Sequence, residues 1–519
     1  MRGGRQPDHK VAGVAVDPRT PVIIGVGQVT QRPDGVDPPD PESPDATAIM
    51  AKAIHLAISD AGGLALGRVD ALAVVNTLSW RYGDPARLVA DRAGLNPRRR
   101  VVTPMGGNSP QALVNATATS IAAGEIDLAV LTGGETWRTR MRARRADVAL
   151  HWPRVDDDLI AAAPPEVWGG ELTMNSDHET SLGVYMPVQI YPLFESAIRA
   201  RRGAEGIDPV THLEQVAAMW ARFSEVAASN PHAWSRHAMT PTEVMTPGPS
   251  NRMVGAPYTK VMNSNNDVDM AAALIMCSAE RASALGVPRE RWVFPHSGTD
   301  CHEHPLVSER DRLDEVPAVR AGADLALHLA GITIDDVDLI DLYSCFPSAV
   351  QLGARAIGLD PYGTERTLTL TGGLSFMGGP WNNYVMHAIA TAVERLRADG
   401  ERALIWANGG YVTKHSFGVY GSRPPTRGFR SGSPQKQVDT LPRRRCVTGE
   451  EAAGKARLES HTVMHDRDGL PERAIATVIT DGGERAWALS EVAEVVTELA
   501  DGDHVGRLVT VDADARLHL

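Results

Sequence analysis

The chain has 519 residues, 43% of them hydrophobic and 22% charged, so it can bury more than one core and is expected to form two or three domains. Its formal net charge of −12 argues against a dedicated nucleic-acid binder, because phosphate binding depends on clustered Lys and Arg. It contains no uninterrupted apolar run of about 18 residues, no signal-peptide-like N-terminal stretch and only four scattered cysteines, which together predict a cytoplasmic protein.

The first repeated pattern joins a helix to a strand. Residues 48–77 contain a helix-like run, the pair Ala61-Gly62 and the apolar strand VDALAVVNT. Residues 318–345 contain the same order of features around Ala330-Gly331 and end in VDLIDLYSC. Self-similarity of this kind predicts an internally duplicated chain.

A second pattern repeats further along each half. The pair Gly106-Gly107 precedes an Ala-rich helix and an apolar strand that ends at Gly133-Gly134. The corresponding segment runs from Gly378 to Tyr411. Short apolar strands that alternate with helices are typical of α/β proteins with mostly parallel sheets, so this fold class is predicted for both halves.

Composition divides the rest of the chain. Residues 136–250 lack the repeats and are rich in Pro, Trp, Met and charged residues. This composition indicates an excursion that carries a substrate surface. After Tyr420, a Pro-, Gly- and Ser-rich linker leads to short candidate strands broken by DG and GG turns, which predict a small β-domain. The expected organisation is a first half at 20–135 and 251–290, a loop domain at 136–250, a second half at 291–420, a linker at 421–434 and a C-terminal β-domain at 435–519.

Four segments together resemble the thiolase superfamily. SIAAGEIDLAVLTGGETW is similar to the strand after the family's nucleophile helix, and GGLSFMGGP is similar to its GG…GHP turn. IDLYSCFPSA is similar to the ELHDCF segment of the sterol-carrier branch. NSNNDVDMAAALIMCSAERASALG is similar to the family's Asn-rich turn and the buried helix after it, which would contain Cys277.

The resemblance implies a duplicated five-layer α/β/α/β/α core. The extra C-terminal domain, expected to be an OB-like barrel, makes the chain similar in particular to the thiolase-like proteins of type 1. Those proteins are usually named acetyl-CoA acetyltransferases by similarity.

The residues that perform thiolase chemistry are replaced at each position that the resemblance identifies. Gly107 stands where the family has its nucleophilic cysteine, and Gly379 where it has the histidine that activates the cysteine. Tyr343, with Ser344 beside it, stands at the histidine that holds the thioester oxygen, and Asn408 or its neighbour stands at the second cysteine. Because losing a nucleophile or its base costs several orders of magnitude in rate, a working thiolase is not expected.

Tyr343 is the strongest catalytic candidate, and Ser344 accompanies it. Tyr343 follows a predicted strand, at the edge where open α/β sheets bind ligands, and a phenol can donate a hydrogen bond to a carbonyl oxygen. The resemblance supports this role, since aldolases of the superfamily use tyrosines in place of the Cys and His set. Ordinary packing is the alternative for Tyr343.

The segment NGGYVTKHSFGVYG, residues 408–421, is the second candidate region. It brings Asn408, Tyr411, Lys414 and His415 into one turn, where thiolases place their second cysteine. His415 is predicted to act as a general base near neutral pH, with a structural role as the alternative. Asn408 is included with it as a catalytic candidate.

Substrate contacts are predicted at the glycine turns, in the loop after residue 408 and in the Asn-rich turn NSNND. Ser109 either lies at the former oxyanion hole or caps the following helix. Position 264 is included for the amide contacts expected of an Asn-rich turn, although the residue at that position is Ser264. The predicted substrate-binding set is Gly107, Asn108, Ser109, position 264, Gly379, Tyr411 and Lys414.

Other polar segments are assigned structural roles. His387 is expected to pack within its helix. The segment HSGTDCHEHP, residues 296–305, matches no closed zinc pattern, so no metal is predicted, and no cofactor beyond a CoA thioester as substrate or ligand. The basic stretch from Arg423 to Arg445 either meets the phosphates of CoA or an acidic partner, or is a solvated linker.

Two functions are predicted for this chain. The leading hypothesis is an enzyme of lipid metabolism that makes or breaks a C–C bond of an acyl-CoA or related thioester without an acyl-cysteine, as a retro-aldolase would. The alternative is a non-catalytic acyl-CoA-binding or scaffold protein. No nucleic-acid or membrane partner is expected. Monomer and dimer both stay open, because thiolases dimerise along an edge strand that additional segments can block.

Overall fold

Three β-sheets organise the described part of the chain, residues 16–32 and 38–519 of a computed structural model. Residues 1–15, part of the stretch searched for a signal peptide, lie outside the described residues. Over 16–32 and 38–519, no helix has both the length and the apolar character needed to cross a bilayer.

The strands follow in chain order: β1 Pro21–Thr30, β2 Arg68–Val74, β3 Asn96–Val102, β4 Leu128–Thr136, β5 Glu166–Val167, β6 Met253–Gly255, β7 Tyr258–Thr259, β8 Asp269–Ser278, β9 Phe294–His302, β10 Leu339–Leu342, β11 Arg402–Gly409, β12 Lys414–Gly421, β13 Arg430–Gly432, β14 Gly454–His465, β15 Pro471–Thr480, β16 Arg485–Ser490, β17 Leu508–Val511 and β18 Leu517–His518.

The α-helices follow in the same order: α1 Ala46–Asp60, α2 Pro85–Ala93, α3 Ser109–Ala122, α4 Trp137–Arg145, α5 Asp157–Ala162, α6 Asp177–Ser181, α7 Pro187–Ala204, α8 Pro209–Ser229, α9 Pro241–Met245, α10 Ala279–Ala284, α11 Pro317–Ala330, α12 Pro347–Ala356, α13 Gly373–Phe376, α14 Tyr384–Ala398, α15 Gln435–Val438 and α16 Ala493–Ala500.

The first two sheets are built on the same plan. The first has the order β1-β8-β4-β2-β3-β5 and the second has the order β10-β11-β12-β9-β13. In each sheet one strand, β8 or β12, runs antiparallel between two neighbours, while β2 with β4 and β10 with β11 pair in parallel. The helices α3 and α14 lie between the sheets, with α1 and α2 outside the first and α11 and α12 outside the second. The predicted duplicated five-layer α/β/α/β/α core is therefore confirmed.

Local sequence explains where the repeated elements begin and end. Asp45 caps α1, and its side chain accepts a hydrogen bond from the backbone N–H of Thr47 at 2.7 Å. Helix α11 ends at Gly331, whose φ of 73° is a left-handed conformation that glycine adopts without steric cost. This turn leads from α11 towards β10, the second copy of the predicted helix, Ala-Gly and strand pattern.

One predicted helix is wrong. The apolar run around Cys277 forms β8, a central strand with all ten of its residues buried, and the short helix α10 begins only at Ala279. A strand covered on both faces shows no alternation of polar and apolar residues, so its sequence resembles that of a buried helix.

The third sheet forms the predicted β-rich C-terminal domain. Its strands have the order β16-β15-β14-β17-β18, and a bridge between Leu489 and Arg516 joins the two ends. Helix α16 connects β16 to β17. The strands β6 and β7, from the segment before β8, extend this sheet through a pairing of Gly255 with Met464. The numerical domain boundaries stay a prediction.

Candidate functional site

The N-terminus of α3 lies against the end of β10 and the end of β11. A Cβ atom built on Gly107 would be 2.2 Å from the Tyr343 hydroxyl oxygen and 2.5 Å from the Asn408 carbonyl oxygen. No side chain fits at position 107 while these atoms stay in place. Three predicted site residues, Gly107, Tyr343 and Asn408, are thus in direct contact.

Tyr343 follows β10 and is almost completely buried, with 7% of its surface exposed. Its ring meets that of Tyr384 edge to face, at a centroid distance of 5.6 Å. Its hydroxyl has no hydrogen-bond partner among residues 16–32 and 38–519. Burial raises the pKa of Tyr343 far above the usual value for a phenol, so the hydroxyl is protonated at neutral pH and available to donate.

Ser344 faces away from Gly107 into a buried hydrogen-bond network. Its Oγ accepts from the Leu374 backbone N–H at 3.4 Å. In the same region the Tyr384 hydroxyl lies 3.1 Å from Asp341 Oδ1. Burial raises the pKa of Asp341 to about 6. The structure therefore separates Ser344 from the contact between Tyr343 and Gly107, although the two side chains are adjacent in sequence.

Tyr191, on α7, organises the loop between β11 and β12. Its hydroxyl donates to the Gly410 carbonyl oxygen at 2.9 Å. It accepts from Asn408 Nδ2 at 3.0 Å and from the Val412 N–H at 3.1 Å. Sequence reasoning did not single out Tyr191, because no local pattern relates a helical tyrosine of the excursion to a loop more than 200 residues later. The predicted Tyr411 is also tied to the excursion, through a 2.9 Å hydrogen bond from its hydroxyl to Asn175.

A cavity of about 540 Å³ opens beside α3 and β12. Two predicted substrate-binding residues, Asn108 and Lys414, line it, as does the predicted base His415. Lys414 Nζ donates to the Met105 carbonyl oxygen. Burial lowers the pKa of Lys414, and Glu171 partly opposes this effect. The lining further includes Leu113, Trp168, Leu172, Asp300 and Gln435.

His415 is buried on β12, with 1% of its surface exposed. The Trp406 indole N–H donates to His415 Nδ1 at 3.3 Å, which places the imidazole proton on Nε2. Nε2 has no partner in the described part of the chain. Burial, with smaller contributions from Arg310 and His302, lowers the pKa of His415 well below 6.5. The ring is therefore neutral and offers one N–H, which suits a hydrogen-bond donor better than a base.

Asn108 and Ser109 begin α3 but do not cap it with their side chains. Ser109 Oγ donates to the Pro104 carbonyl oxygen at 3.2 Å, so it stabilises the preceding loop. Asn108 Nδ2 lies 3.5 Å from Ser416 Oγ, which in turn donates to Asp300 at 2.6 Å. The Oδ1 atom of Asn108 is buried and, in the described residues, lacks a partner. Asn108 is therefore the member of this pair that lines the cavity, while its unpartnered oxygen points to the side of Gly106 and Gly409.

Ser264 lies on the Asn-rich turn NSNND, and Gly379 lies on a segment that contacts this turn. The Gly379 N–H donates to the Asn265 carbonyl oxygen at 2.9 Å. Ser264 Oγ donates to the Cys345 carbonyl oxygen at 3.1 Å, so position 264 supports the segment after Tyr343 through a hydroxyl and not through an amide. Neither residue lines the cavity of about 540 Å³.

The histidines of the segment 296–305 bind backbone carbonyl groups. His296 contacts the Arg423 oxygen at 2.8 Å and His304 the Leu441 oxygen at 3.2 Å. Among the described residues, no group of His, Cys, Asp and Glu has the arrangement of a metal site. His387 packs as predicted in its helix and its Nδ1 lies 2.9 Å from Gln28 Oε1.

The basic stretch that ends at Arg445 is engaged in ion pairs. Arg444 lies 3.1 Å from Asp311, and Arg445 pairs with Glu451. Arg443 Nε is 3.2 Å from His304 Nδ1. Arg443 and Arg444 thus join the second half of the core to the C-terminal domain, whereas Arg445 pairs within that domain and is exposed. The role of the stretch in phosphate binding stays a prediction.

Comparisons with known proteins match both parts of this architecture. The family described as the thiolase-like protein type 1 additional C-terminal domain matches residues 434–516. The crystal structure of a monomeric SCP2-thiolase like protein type 1 from Mycobacterium smegmatis is 31% identical in sequence. The similarity covers 97% of this chain and 100% of that chain, with a TM-score of 0.80.

More distant relatives share part of the chain. Acetyl-CoA acetyltransferases from Methanocaldococcus jannaschii and Methanothermobacter thermautotrophicus are 22% and 24% identical over 261 and 271 residues. These matches span 50% and 52% of this chain, but only 57% and 61% of the relatives. The structure of the Ltp2-ChsH2(DUF35) aldolase is 18% identical, with a TM-score of 0.58 over 78% of this chain and 98% of that chain. That similarity shows a shared fold.

Proposed function

The chain belongs to the thiolase-like proteins of type 1, and from this premise we propose that it binds a CoA thioester, or a related small-molecule thioester, without forming an acyl-cysteine. The contact between Tyr343 and Gly107, neither of which lines the cavity of about 540 Å³, carries the non-covalent part of the proposal. The tyrosine hydroxyl lies 2.2 Å from where a Cβ would stand at position 107, so the place of a nucleophilic side chain is already filled.

The four cysteines support the non-covalent part of this proposal. Three of them, Cys277, Cys301 and Cys345, are buried, and Cys446 is half-buried. Burial raises the pKa of Cys277 and of Cys345 to about 12, and it also raises the pKa of Cys301 and Cys446. Since the thiolate is the nucleophilic form of cysteine, none of these thiols is activated for acyl transfer at neutral pH.

The cavity beside α3 supports the thioester part. Its volume of about 540 Å³ falls within the range of small-molecule pockets. Lys414 is a donor suited to carbonyl or phosphate oxygens, while Leu113 and Trp168 provide apolar surface. In this proposal the cavity takes the acyl and pantetheine end of the ligand.

Native mass spectrometry tests binding and covalency together. We expect a complex of the intact protein with acetyl-CoA or a longer acyl-CoA under native conditions, and the mass of the unmodified protein after denaturation. CoA without an acyl group is the matched control. An acyl adduct that survives denaturation would overturn the non-covalent mechanism, and the absence of any complex would overturn thioester binding.

A second candidate function, aldolase-like C–C bond chemistry, is favoured by the protonated and unpartnered hydroxyl of Tyr343. Such a group can donate to a developing oxyanion in the transition state. If this function holds, Tyr343→Phe abolishes turnover of a 3-hydroxyacyl-CoA and preserves its binding. Product analysis by mass spectrometry checks this outcome, and equal turnover by wild type and Tyr343→Phe would leave the protein a non-catalytic binder.

A further inference from the structure

The outer face of strand β16 is buried against the core. Side chains of β16 alternate: Ala486 and Ala488 point into the core of the C-terminal domain, and Trp487 and Leu489 join the central core of the molecule. Arg485, on the same outward face, has no exposed surface. This face is therefore committed to a contact within the chain and is closed to an external ligand.

Arg485 binds the turn that precedes α11. Its Nη1 donates to the Ser308 carbonyl oxygen at 3.0 Å and also to the Arg310 carbonyl oxygen. Its Nη2 lies 3.3 Å from the Asp311 carbonyl oxygen. Glu459 on β14 compensates its charge, with 2.6 Å between Arg485 Nε and Glu459 Oε2. One guanidinium of the C-terminal domain thus fixes the backbone of residues 308–311.

Arg310 passes this constraint to the loop beside the cavity. It is buried, and it donates to the Tyr411 carbonyl oxygen at 2.8 Å and to Thr413 Oγ1 at 2.9 Å. Between these two contacts Val412 has a φ of 48°, which a β-branched residue adopts only under steric strain. A strained residue persists only where its surroundings hold it. Lys414 and His415 follow directly in the chain.

We infer that Arg485 is a positioning residue of the cavity: through Arg310 it holds the 411–413 loop in the conformation that places Lys414 and His415. The effect on a ligand rests on the proposed function, whereas the effect on the loop does not. The C-terminal domain then stabilises the site from within the same chain. Its contact with the turn 308–311 connects the domain to the loop beside the cavity.

Hydrogen exchange on the full-length protein tests this inference. We expect Arg485→Gln to accelerate exchange of the Val412, Thr413 and Glu303 amides by at least about tenfold, the change expected when a hydrogen bond to a charged group is lost. These amides bind the Tyr191 hydroxyl, the Gly409 carbonyl and the Thr413 carbonyl in the native loop. Ser460→Ala is the matched control, because Ser460 is buried and ties the same domain to Leu193 of α7 through a contact that includes neither Arg485 nor Arg310.

Glu459→Gln provides a milder variant if Arg485→Gln does not fold, because it keeps an acceptor for Arg485 and removes only the charge. Faster exchange confined to the loop and the residues that bind it, in either variant and not in Ser460→Ala, supports the inference. The inference is overturned if Arg485→Gln and Ser460→Ala lose the same thermal stability and the loop amides exchange no faster in Arg485→Gln than in Ser460→Ala. Hydrogen exchange is measured without ligand. Failure of the proposed thioester binding would therefore be seen in a separate experiment, as the absence of a binding signal when acyl-CoA is titrated into the wild type.

Discussion

The hydroxyl oxygen of Tyr343 occupies the space into which a side chain at Gly107 would extend, 2.2 Å from the position of its Cβ. The two positions that the resemblance assigns to the thiolase nucleophile and to the thioester-holding histidine are therefore in contact in space. A glycine at position 107 is required by the tyrosine, and the tyrosine fills the volume that the missing side chain leaves.

Restoring a cysteine at position 107 alone should therefore destabilise the protein. We expect Gly107→Cys to lower the free energy of unfolding by about 1–3 kcal/mol, the usual cost of overpacking a core. The value should lie towards the upper end, because the backbone carbonyl of Asn408 is also close to the Cβ position. Urea unfolding measures this change.

Two further variants make the Gly107→Cys result interpretable. Gly107→Cys should cost less stability in a Tyr343→Ala background than in the wild type, because the clashing hydroxyl is already removed. Gly203→Ala is a control at a helical glycine with nothing within 4 Å of its Cβ position, and it should not destabilise. Equal stability of Gly107→Cys and wild type would contradict the coupling.

Tyr343→Phe and Tyr384→Phe should differ in stability although the two rings are in contact. The hydroxyl of Tyr343 has no partner in the described part of the chain, so its removal should change the free energy of unfolding by less than about 0.5 kcal/mol. The hydroxyl of Tyr384 binds Asp341 and Thr371, and its removal should cost about 1–3 kcal/mol. Thermal unfolding of both variants checks this order, and a larger loss in Tyr343→Phe would reverse our description of the site.

The repeated architecture could be predicted because both halves carry the same local signals: glycine pairs before a buried helix, Ala-Gly turns and short apolar strands. The contact between Gly107 and Tyr343 could not be predicted. The resemblance placed each residue at a family position, but their distance depends on packing between two segments far apart in the chain. The loop contacts of Tyr191 and the path from Arg485 to Arg310 depend in the same way on elements that no local pattern relates.

Other expectations differ from the arrangement of the described residues for physical reasons. The strand β8 was predicted as a helix because burial on both faces removes the alternation that marks a strand. Ser344 was grouped with Tyr343, but adjacent residues at a strand end point to opposite sides, and only one of them reaches Gly107. His415 is predicted as a base from its residue type, and this role stays a prediction, whereas its burial and its bond from Trp406 favour a donor.

The buried state of His415 should appear in the pH dependence of stability. Its pKa in the folded protein is well below the ordinary 6.5, so below that pH the unfolded chain takes up a proton that the folded chain does not. Unfolded chains then bind more protons, and stability falls as pH decreases.

We expect the wild type to lose more stability than His415→Gln between pH 6.5 and pH 5, by up to about 1.4 kcal/mol per pH unit. Glutamine is chosen because its side-chain oxygen can still accept from Trp406. Urea unfolding at several pH values gives the two curves, and parallel curves would show that His415 is protonated in the folded protein.

The edge of the first sheet predicts a monomer in solution. Strand β5 pairs with β3 at Val101 and Val102, and Arg99 Nε contacts Glu166 Oε1 at 2.9 Å beyond them. An edge strand as short as the two-residue β5 offers few free backbone groups to another chain. Light scattering during size-exclusion chromatography should give a monomer mass, whereas a dimer that persists on dilution would show that β5 does not protect this edge.

Calorimetric titration of acyl-CoA into the wild type and into Lys414→Met tests the central claim most directly. The account predicts saturable binding to the wild type and binding at least about threefold weaker in Lys414→Met, since one hydrogen bond contributes about 0.5–1.5 kcal/mol and charged ones contribute more. Lys455→Met, at an exposed lysine of the C-terminal domain, should bind as the wild type does. Absence of binding to the wild type, or equal affinity in wild type and Lys414→Met, would contradict a thioester site in the cavity beside α3.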